Sequence, residues 1–168
     1  MGYMGSGKSE IGSMIAKRNS IPFVDLDQYI ELKEKKTITN FFRKNGELFF
    51  RKKERIHLEQ VLMNKSSLVV SLGGGTPCYF DNINYINKKK NTLTIFLNSS
   101  PKELSQRLFR NRNNRPLISH LNSINELEDF IAKHLFERLP YYNKAKIKVN
   151  TDGKSLMELL HEIEDLLA

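Results

Sequence analysis

Short apolar runs alternate along this chain with segments of helical periodicity. Residues 68–72 and 92–97 are apolar runs rich in branched side chains and bounded by Gly, Pro or Asn. Such runs are typical of buried parallel strands. Shorter runs at 23–24 and 147–149 predict two further strands.

Between these runs, apolar residues recur every three or four positions, which predicts amphipathic helices. Two more helices are expected, one starting near Gln28 and one running from about Asn125 to Pro140, where the proline should end it. The alternation predicts an α/β fold with right-handed crossovers, a three-layer arrangement in which helices cover both faces of a parallel sheet. The periodic positions are Ile11, Met14 and Ile15; Ile56, Val61 and Leu62; Leu104 and Leu108; and Leu156, Leu159, Leu160, Ile163 and Leu166.

The length of 168 residues, of which 39% are hydrophobic, predicts one domain over residues 1–168. No apolar run approaches the roughly 18 residues of a membrane span, so no membrane partner is expected. Cys78 is the only cysteine, which excludes an internal disulfide and favours a reducing cytoplasm. The formal net charge of +8 indicates an anionic partner, and composition alone leaves nucleic acid, anionic membrane and anionic metabolite open.

The sequence GYMGSGKS at residues 2–9 satisfies the phosphate-loop pattern G-x-x-x-x-G-K-[ST] in full. Glycines at this spacing let backbone N–H groups surround phosphate oxygens, and the helix that follows adds the positive end of its dipole. Lys8 should reach the β- and γ-phosphates, and the Ser9 hydroxyl should hold Mg²⁺. The predicted nucleotide-binding residues are Gly5, Ser6, Gly7, Lys8 and Ser9.

The chain begins almost directly with this loop. A phosphate loop normally follows a buried strand, yet only Met1 precedes Gly2, so we expect either a misassigned start or a truncated first strand. Loss of about four buried aliphatic side chains would cost about 6 to 12 kcal/mol, as much as the whole stability of many domains. We expect a longer native chain to supply that strand.

Two segments carry carboxylates suited to an acceptor site. Asp25 and Asp27 follow the strand at 23–24, at the sheet edge where α/β proteins bind ligands; the alternative is that Asp27 merely caps a helix and Asp25 is a solvated strand end. Arg51 and Glu54 lie one helical turn apart, which an ordinary surface ion pair would also explain.

Three further segments are candidates for binding. The glycines Gly73, Gly74 and Gly75 follow a predicted strand and would allow a ligand to approach the backbone closely. The Arg- and Asn-rich segment 110–115 has neither strand nor clear helix pattern, and we expect a mobile lid over about 109–124 that contains Arg115. Arg138 precedes Pro140 near the end of a predicted helix.

In their order along residues 2 to about 154, these segments resemble the shikimate kinase family, small-metabolite kinases with a P-loop fold like that of nucleoside monophosphate kinases. The pieces that carry the resemblance are GYMGSGKS, DLD at Asp25 and Asp27, FRKKE at Arg51 and Glu54, GGG at 73–75, RPL at Arg115, and RLPYY at Arg138. One departure is Glu10, which stands where the family usually has a small hydroxyl residue.

The resemblance implies transfer of phosphate from ATP, with Mg²⁺, to the 3-hydroxyl of shikimate in aromatic amino acid biosynthesis. It implies that Asp27 holds the ring hydroxyls and acts as base, and that Arg51 and Arg138 clamp the substrate carboxylate. The Gly73 to Gly75 loop would line the pocket, and a helical segment at about 28–63 would bind the substrate.

For the nucleotide side, the resemblance implies that Lys8 and Arg115 stabilise the transferred phosphoryl group and that Asp25 helps to hold Mg²⁺. Either Arg110 or Arg112 would contact adenine. The expected partners are shikimate and ATP, without nucleic acid, on a monomer. The competing functions are another metabolite kinase of the same fold, such as a gluconate or nucleotide kinase, and a non-catalytic protein that binds nucleotide or nucleic acid.

Overall fold

The computed structural model describes residues 1–63, 66–112, 115 and 117–167. Within this part of the chain, helices alternate with short parallel strands. The strands are β1 (Phe23–Asp25), β2 (Val69–Ser71), β3 (Ile95–Asn98) and β4 (Ile147–Asn150), and a 3₁₀ turn covers Thr76–Cys78. The helices are α1 (Lys8–Arg18), α2 (Leu26–Glu34), α3 (Ile38–Asn45), α4 (Glu47–Leu62), α5 (Asn82–Lys88), α6 (Pro101–Phe109), α7 (Ile124–Tyr142) and α8 (Leu156–Leu167).

The four predicted strands are confirmed, and they pair in parallel as the α/β interpretation requires. Strand β1 pairs with β2, and β3 pairs with β4. Side chains of β3 alternate between two faces: Ile95 and Leu97 pack with α1 and α8, whereas Phe96 packs towards α6 and α7. Helices therefore cover both faces. No helix in the described ranges is both long and apolar enough to cross a membrane.

Met1 and Gly2 form a short stub of strand beside β3. The N-terminal amine donates to the carbonyl of Ile95 at 2.6 Å, the N–H of Leu97 donates to the carbonyl of Met1 at 2.9 Å, and Gly2 forms an isolated parallel bridge with Leu97. The phosphate loop thus leaves the sheet next to β3.

The described residues form two two-stranded parallel sheets, β1 with β2 and β3 with β4, and β2 is not hydrogen-bonded to β3. A cavity of about 340 Å³ lies on the α1 and α8 side and is lined by residues that include Val69, Ile95 and Ile163. A second cavity of about 530 Å³, on the opposite face, is lined by residues that include Val70 and Ile86. The two cavities share part of their lining, including Met1, Val70 and Ile95.

The N-terminal amine of Met1 is a charged group in a buried position. Burial, together with the positive charge of Lys8, lowers the pKa of the Met1 amine to about 5. A peptide N–H at this point would carry no charge that burial could penalise.

The prediction that Pro140 ends its helix is wrong. Helix α7 continues through Pro140 to Tyr142. Proline removes the hydrogen bond to the carbonyl of Phe136, but this is the last turn of the helix and the Phe136 side chain is 77% exposed, so water can reach that region. The fully buried Tyr142 packs on Phe96 with ring centroids 5.0 Å apart, which holds the final turn in place.

Helix α2 begins at Leu26, two residues before the predicted start. Its N-cap is Asp25, whose Oδ1 accepts hydrogen bonds from the backbone N–H groups of Asp27 and Gln28. The alternative in which Asp27 is the cap is therefore wrong. Asp27 is left free for another role, one residue inside the helix.

The two cavities lead to a test of stability. We expect four or five apolar residues fused before Met1 to fill the two cavities and raise the free energy of unfolding by several kcal/mol. The value for four fully buried aliphatic side chains would be about 6 to 12 kcal/mol. Denaturant unfolding measures the change. A Gly/Ser extension of equal length is the control, and equal effects of the two extensions would contradict the strand interpretation.

Candidate active site

The main polar cavity lies where β1 and β2 end, beside the first turn of α1. Its volume is about 520 Å³. Parallel sheets bind ligands at this edge because loops and helix N-termini converge there. The lining residues are Met4, Gly5, Gly7, Lys8, Ser9, Glu10, Asp25, Asp27, Ser71, Leu72, Gly73, Gly74, Arg107, Leu108, Asn111 and Arg115.

The phosphate loop has the backbone geometry that its glycines predict. Gly5 and Gly7 have φ of 78° and 85°, in the left-handed region that favours glycine. The loop also holds a buried polar atom, Oγ of Ser6, that has no hydrogen-bond partner among the described residues. An unpaired hydroxyl in a loop of inward-facing amides fits a site that receives anionic oxygens.

Lys8 lies at the centre of this loop. Its Nζ donates to the carbonyl of Tyr3 at 2.8 Å. Burial lowers its pKa to about 8, against the opposing charges of Asp27 and Asp25. A partly desolvated ammonium ion stabilises a nearby phosphate more strongly than one in water.

Ser9 and Asp25 meet at the edge of the cavity. The Ser9 hydroxyl donates to Oδ2 of Asp25 at 2.6 Å and lies 3.3 Å from Oγ of Ser71. These oxygens are the type of ligand that Mg²⁺ prefers. No group of three His, Cys, Asp or Glu suited to a metal occurs in the part of the chain described, so a metal here would need phosphate or water oxygens to complete its shell.

Asp27 and Lys8 line the same cavity. Burial, with added repulsion from Glu54 and Asp25, raises the pKa of Asp27 to about 6. A carboxylate with this pKa is a better proton acceptor than one in water and is still mostly ionised at pH 7.

The Gly73 to Gly75 loop is crowded by the protein's own side chains. A β-carbon on Gly73 would lie 2.6 Å from Oδ1 of Asp27, and one on Gly75 would overlap Nη2 of Arg51. None of the three has a positive φ. These glycines are needed for close approach rather than for turn geometry.

Arg51 and Glu54 form a buried ion pair, so the surface-pair alternative is wrong. Nη1 of Arg51 donates to Oε2 of Glu54 at 2.9 Å, and the two side chains are 8% and 0% exposed. Glu54 also accepts from the Thr76 hydroxyl at 2.6 Å. The remaining N–H groups of Arg51 point elsewhere: Nε and Nη2 donate to Glu47.

Arg138 reaches the same loop from α7. Its Nη1 would lie 3.6 Å from a β-carbon on Gly74, and its guanidinium carbon lies 5.8 Å from the ring centroid of Tyr3. Tyr142, one turn further along α7, donates to the carbonyl of Gly74 at 2.6 Å. The structure thus brings Asp27, Arg51 and Arg138 together at one glycine loop.

The predicted lid is described only in part, because residues 113, 114 and 116 lie outside the described residues and the RPL motif includes one of them. Arg115 is exposed and lines the cavity. Arg112 is occupied locally, since its Nε and Nη1 donate to the carbonyls of Leu121 and Phe109, each at 2.9 Å. Arg110 is exposed at the end of α6.

Several polar residues of the site were missed by the sequence analysis. Arg107 and Asn111 line the cavity from the end of α6, and Glu47 is bonded to Arg51 from the first residue of α4. The signal for Glu47 was its i,i+4 spacing from Arg51. Arg107 could have been found from its position one turn before Arg110.

Comparison with known proteins agrees with this geometry. Residues 4–168 match the model of the family described as shikimate kinase. Shikimate kinase from Flavobacterium psychrophilum is 41% identical over 99% of this chain and 96% of its own length, and that from Flavobacterium johnsoniae is 39% identical over 100% and 96%. The chain belongs to the shikimate kinase family.

Solved structures give the same result. The crystal structure of shikimate kinase from Bacteroides thetaiotaomicron superposes with a TM-score of 0.89 at 36% identity, over 99% of this chain and 95% of that one. Shikimate kinase from Acinetobacter baumannii, solved in complex with shikimate, has a TM-score of 0.83 at 29% identity, over 99% and 89%.

This family membership confirms the resemblance drawn from the motifs, including the P-loop kinase fold. The chain is a kinase of the shikimate pathway that phosphorylates shikimate with ATP. The competing functions, another metabolite kinase or a non-catalytic binding protein, are thereby set aside.

The crowding at the glycine loop can be tested by substitution. We expect Gly75→Ala to displace the buried Arg51 and lower the free energy of unfolding by about 1 to 3 kcal/mol, the usual cost of overpacking. Gly74→Ala is the matched control, because its β-carbon would meet only ordinary contacts of 3.6 Å or more. Urea unfolding of both variants checks the result. An equal loss of stability in the two would show that Arg51 is not held against Gly75.

Proposed function

We propose that Lys8 and Asp27 face each other across the site of phosphoryl transfer to the 3-hydroxyl of shikimate. The observation that carries this proposal is that both residues line one cavity, while Asp27, Arg51 and Arg138 meet at the glycine loop beside it. The cavity therefore has a phosphate side and an acid-binding side. These are the two ends that the reaction must join.

On the phosphate side, the backbone of Gly5, Ser6 and Gly7 binds the phosphates of ATP, and Lys8 contacts the β- and γ-phosphates. The unpaired hydroxyl of Ser6 gains a partner when a phosphate arrives. Of the lid arginines, Arg110 is the better candidate for adenine, because the guanidinium of Arg112 is already bonded to backbone carbonyls.

On the acid-binding side, Arg51 and Arg138 bind the carboxylate of shikimate, and the backbone of Gly73, Gly74 and Gly75 lines the ring. A guanidinium fork matches a carboxylate in a way that a lysine ammonium cannot. Asp27 accepts hydrogen bonds from ring hydroxyls, which fixes the 3-hydroxyl in line with the γ-phosphate.

In the reaction, the 3-hydroxyl oxygen forms a bond to the γ-phosphorus while the bond from that phosphorus to the β,γ-bridging oxygen breaks, so ADP leaves. The hydroxyl proton passes to Asp27, late in the step, because the transition state is largely dissociative. Lys8 and Arg115 neutralise the charge that spreads over the phosphoryl oxygens. Positioning therefore contributes more than the basicity of Asp27.

Ser9 and Asp25 would hold Mg²⁺, Ser9 directly and Asp25 through water. Their oxygen donors fit this ion, and the first turn of α1 places them beside the phosphate loop. Bound Mg²⁺ supplies positive charge to the β- and γ-phosphate oxygens. Asp25 already caps α2 with its other oxygen, so its orientation is set before the metal arrives.

The remaining proposals concern the partners, oligomeric state and location of the enzyme and the roles of two of its segments. The net charge of +8 attracts anionic metabolites, here shikimate and ATP, rather than nucleic acid. We propose a monomer in the cytoplasm, in which residues 28–63 form the shikimate-binding segment and residues 109–124 act as a mobile lid.

The experiment for this proposal measures ADP release with and without shikimate. We expect release to depend on shikimate, and Asp27→Asn to lose most of the activity because the hydroxyl loses its alignment. The chain as given and a chain with a filled first strand are compared, which separates weak folding from weak catalysis. Unchanged activity in Asp27→Asn would rule out its assigned role.

The pH dependence of kcat/KM provides a separate check, because this ratio reports pKa values of the free enzyme. We expect activity to fall as pH drops through about 6, where Asp27 gains a proton. We also expect it to fall as pH rises through about 8, where Lys8 loses its charge. The residual activity of Asp27→Asn should lack the acidic limb. An acidic limb that persists in this variant belongs to another group.

A further inference from the structure

Arg51 is bound by a second carboxylate that the reaction does not use. Oε1 of Glu47 accepts from Nε of Arg51 at 3.2 Å and from Nη2 at 3.0 Å, and also from the Tyr79 hydroxyl at 2.9 Å. With Glu54 on Nη1, one guanidinium carries two carboxylates. The arginine assigned to the substrate's carboxylate is thus already neutralised by the protein.

The guanidinium itself is held firmly in place. The Arg51 side chain is 8% exposed, and its guanidinium carbon lies 4.6 Å from the ring centroid of Tyr79 and 5.3 Å from that of Phe50. The backbone at Gly75 closes a further side, with no room for a side chain. A substrate carboxylate must therefore bind Arg51 in its present position, because the surrounding groups leave its side chain no room to move outwards.

A third carboxylate around Arg51 would add negative charge to a largely buried position, which is costly unless one of the first two leaves. Glu54 cannot leave easily, since its side chain is fully buried and bonded to Thr76. Glu47 can, because its side chain is 49% exposed. It is the first residue of α4 and follows Gly46, whose φ is 79°.

Glu47 is also ionised at neutral pH. Burial acts to raise its pKa, but hydrogen bonds from Tyr79 and Arg51 outweigh it, and the charges of Arg51 and Arg138 add to their effect, so the pKa is lowered. Glu47 therefore lies as an anion within the field of both arginines assigned to the substrate carboxylate.

We propose that Glu47 is a displaceable internal carboxylate that occupies Arg51 in the empty site and is replaced there by the carboxylate of shikimate. This inference rests on the proposed role of Arg51 in binding that carboxylate. Glu47 then sets both affinity and selectivity. The charge of Glu47 opposes the incoming carboxylate, which must replace it at Arg51, whereas a neutral analogue is not repelled in this way.

The test replaces Glu47 by a neutral residue of the same shape. In Glu47→Gln, we expect the KM and the calorimetric Kd of shikimate to fall about two- to fivefold, the range expected when one partly exposed competing charge is removed. The effect lies in KM rather than in kcat. Binding of the neutral methyl ester of shikimate should not tighten, so the preference for acid over ester increases. Glu47→Ala should act in the same direction.

Glu59→Gln is the matched control. Glu59 lies on the same helix, pairs with Arg55 at i,i+4 with a distance of 2.6 Å, and has a side chain that is 41% exposed. We expect it to leave the shikimate KM unchanged. Tyr79→Phe removes one donor to Glu47 and should lower KM by a smaller factor than Glu47→Gln.

Two results would overturn the inference. A KM that is unchanged or raised in Glu47→Gln would mean that Glu47 only orients Arg51, and an equal gain for acid and ester would mean that charge competition is not the cause. Arg51→Lys separates this failure from failure of the proposed function. If the lysine variant leaves the shikimate KM unchanged, the carboxylate clamp itself is wrong; if it raises KM while Glu47→Gln does not lower it, only the displacement is wrong.

Discussion

The lack of space beside the backbone at residues 73–75 is the constraint on which the rest of the site depends. Asp27 lies against the first glycine of this loop and Arg51 against the third, each too close for a β-carbon between them. Because α2 and α4 carry these two side chains, the loop fixes the separation of the two helices at the site. The carboxylate of Asp27 and the guanidinium of Arg51 are thereby held beside the same stretch of backbone, where both could contact one substrate ring.

Burial shifts the pKa values of the charged groups in the site. Glu54, which has no access to solvent, fixes Arg51 through one N–H edge and repels Asp27, so a single carboxylate orients one functional residue and helps to raise the pKa of the other. Lys8 is affected in the opposite direction, since desolvation weakens its hold on a proton. The site therefore contains an acceptor and a donor whose pKa values lie on either side of neutrality.

The phosphate loop of this site is attached to the rest of the fold through β3. The phosphate loop starts from a stub of two residues beside β3, with cavities on both faces behind it. Hydrogen bonds of Met1 with Ile95 and Leu97, and the bridge between Gly2 and Leu97, keep the loop in register with β3. The position of the phosphate loop thus depends on a strand that lies far along the chain.

The sequence alone determined the features that depend on local spacing. The phosphate-loop pattern, the apolar runs of β2 and β3 and the periodic helices are patterns of neighbouring residues, and each was found where it was expected. Tertiary structure decided what depends on distant partners. The burial of Glu54, the capping role of Asp25 and the continuation of α7 through Pro140 follow from contacts made by residues far apart in the chain. Spacing showed that Glu47 and Arg51 can meet on one helix, but only the packing around Arg51 shows which of its two carboxylates is free to leave.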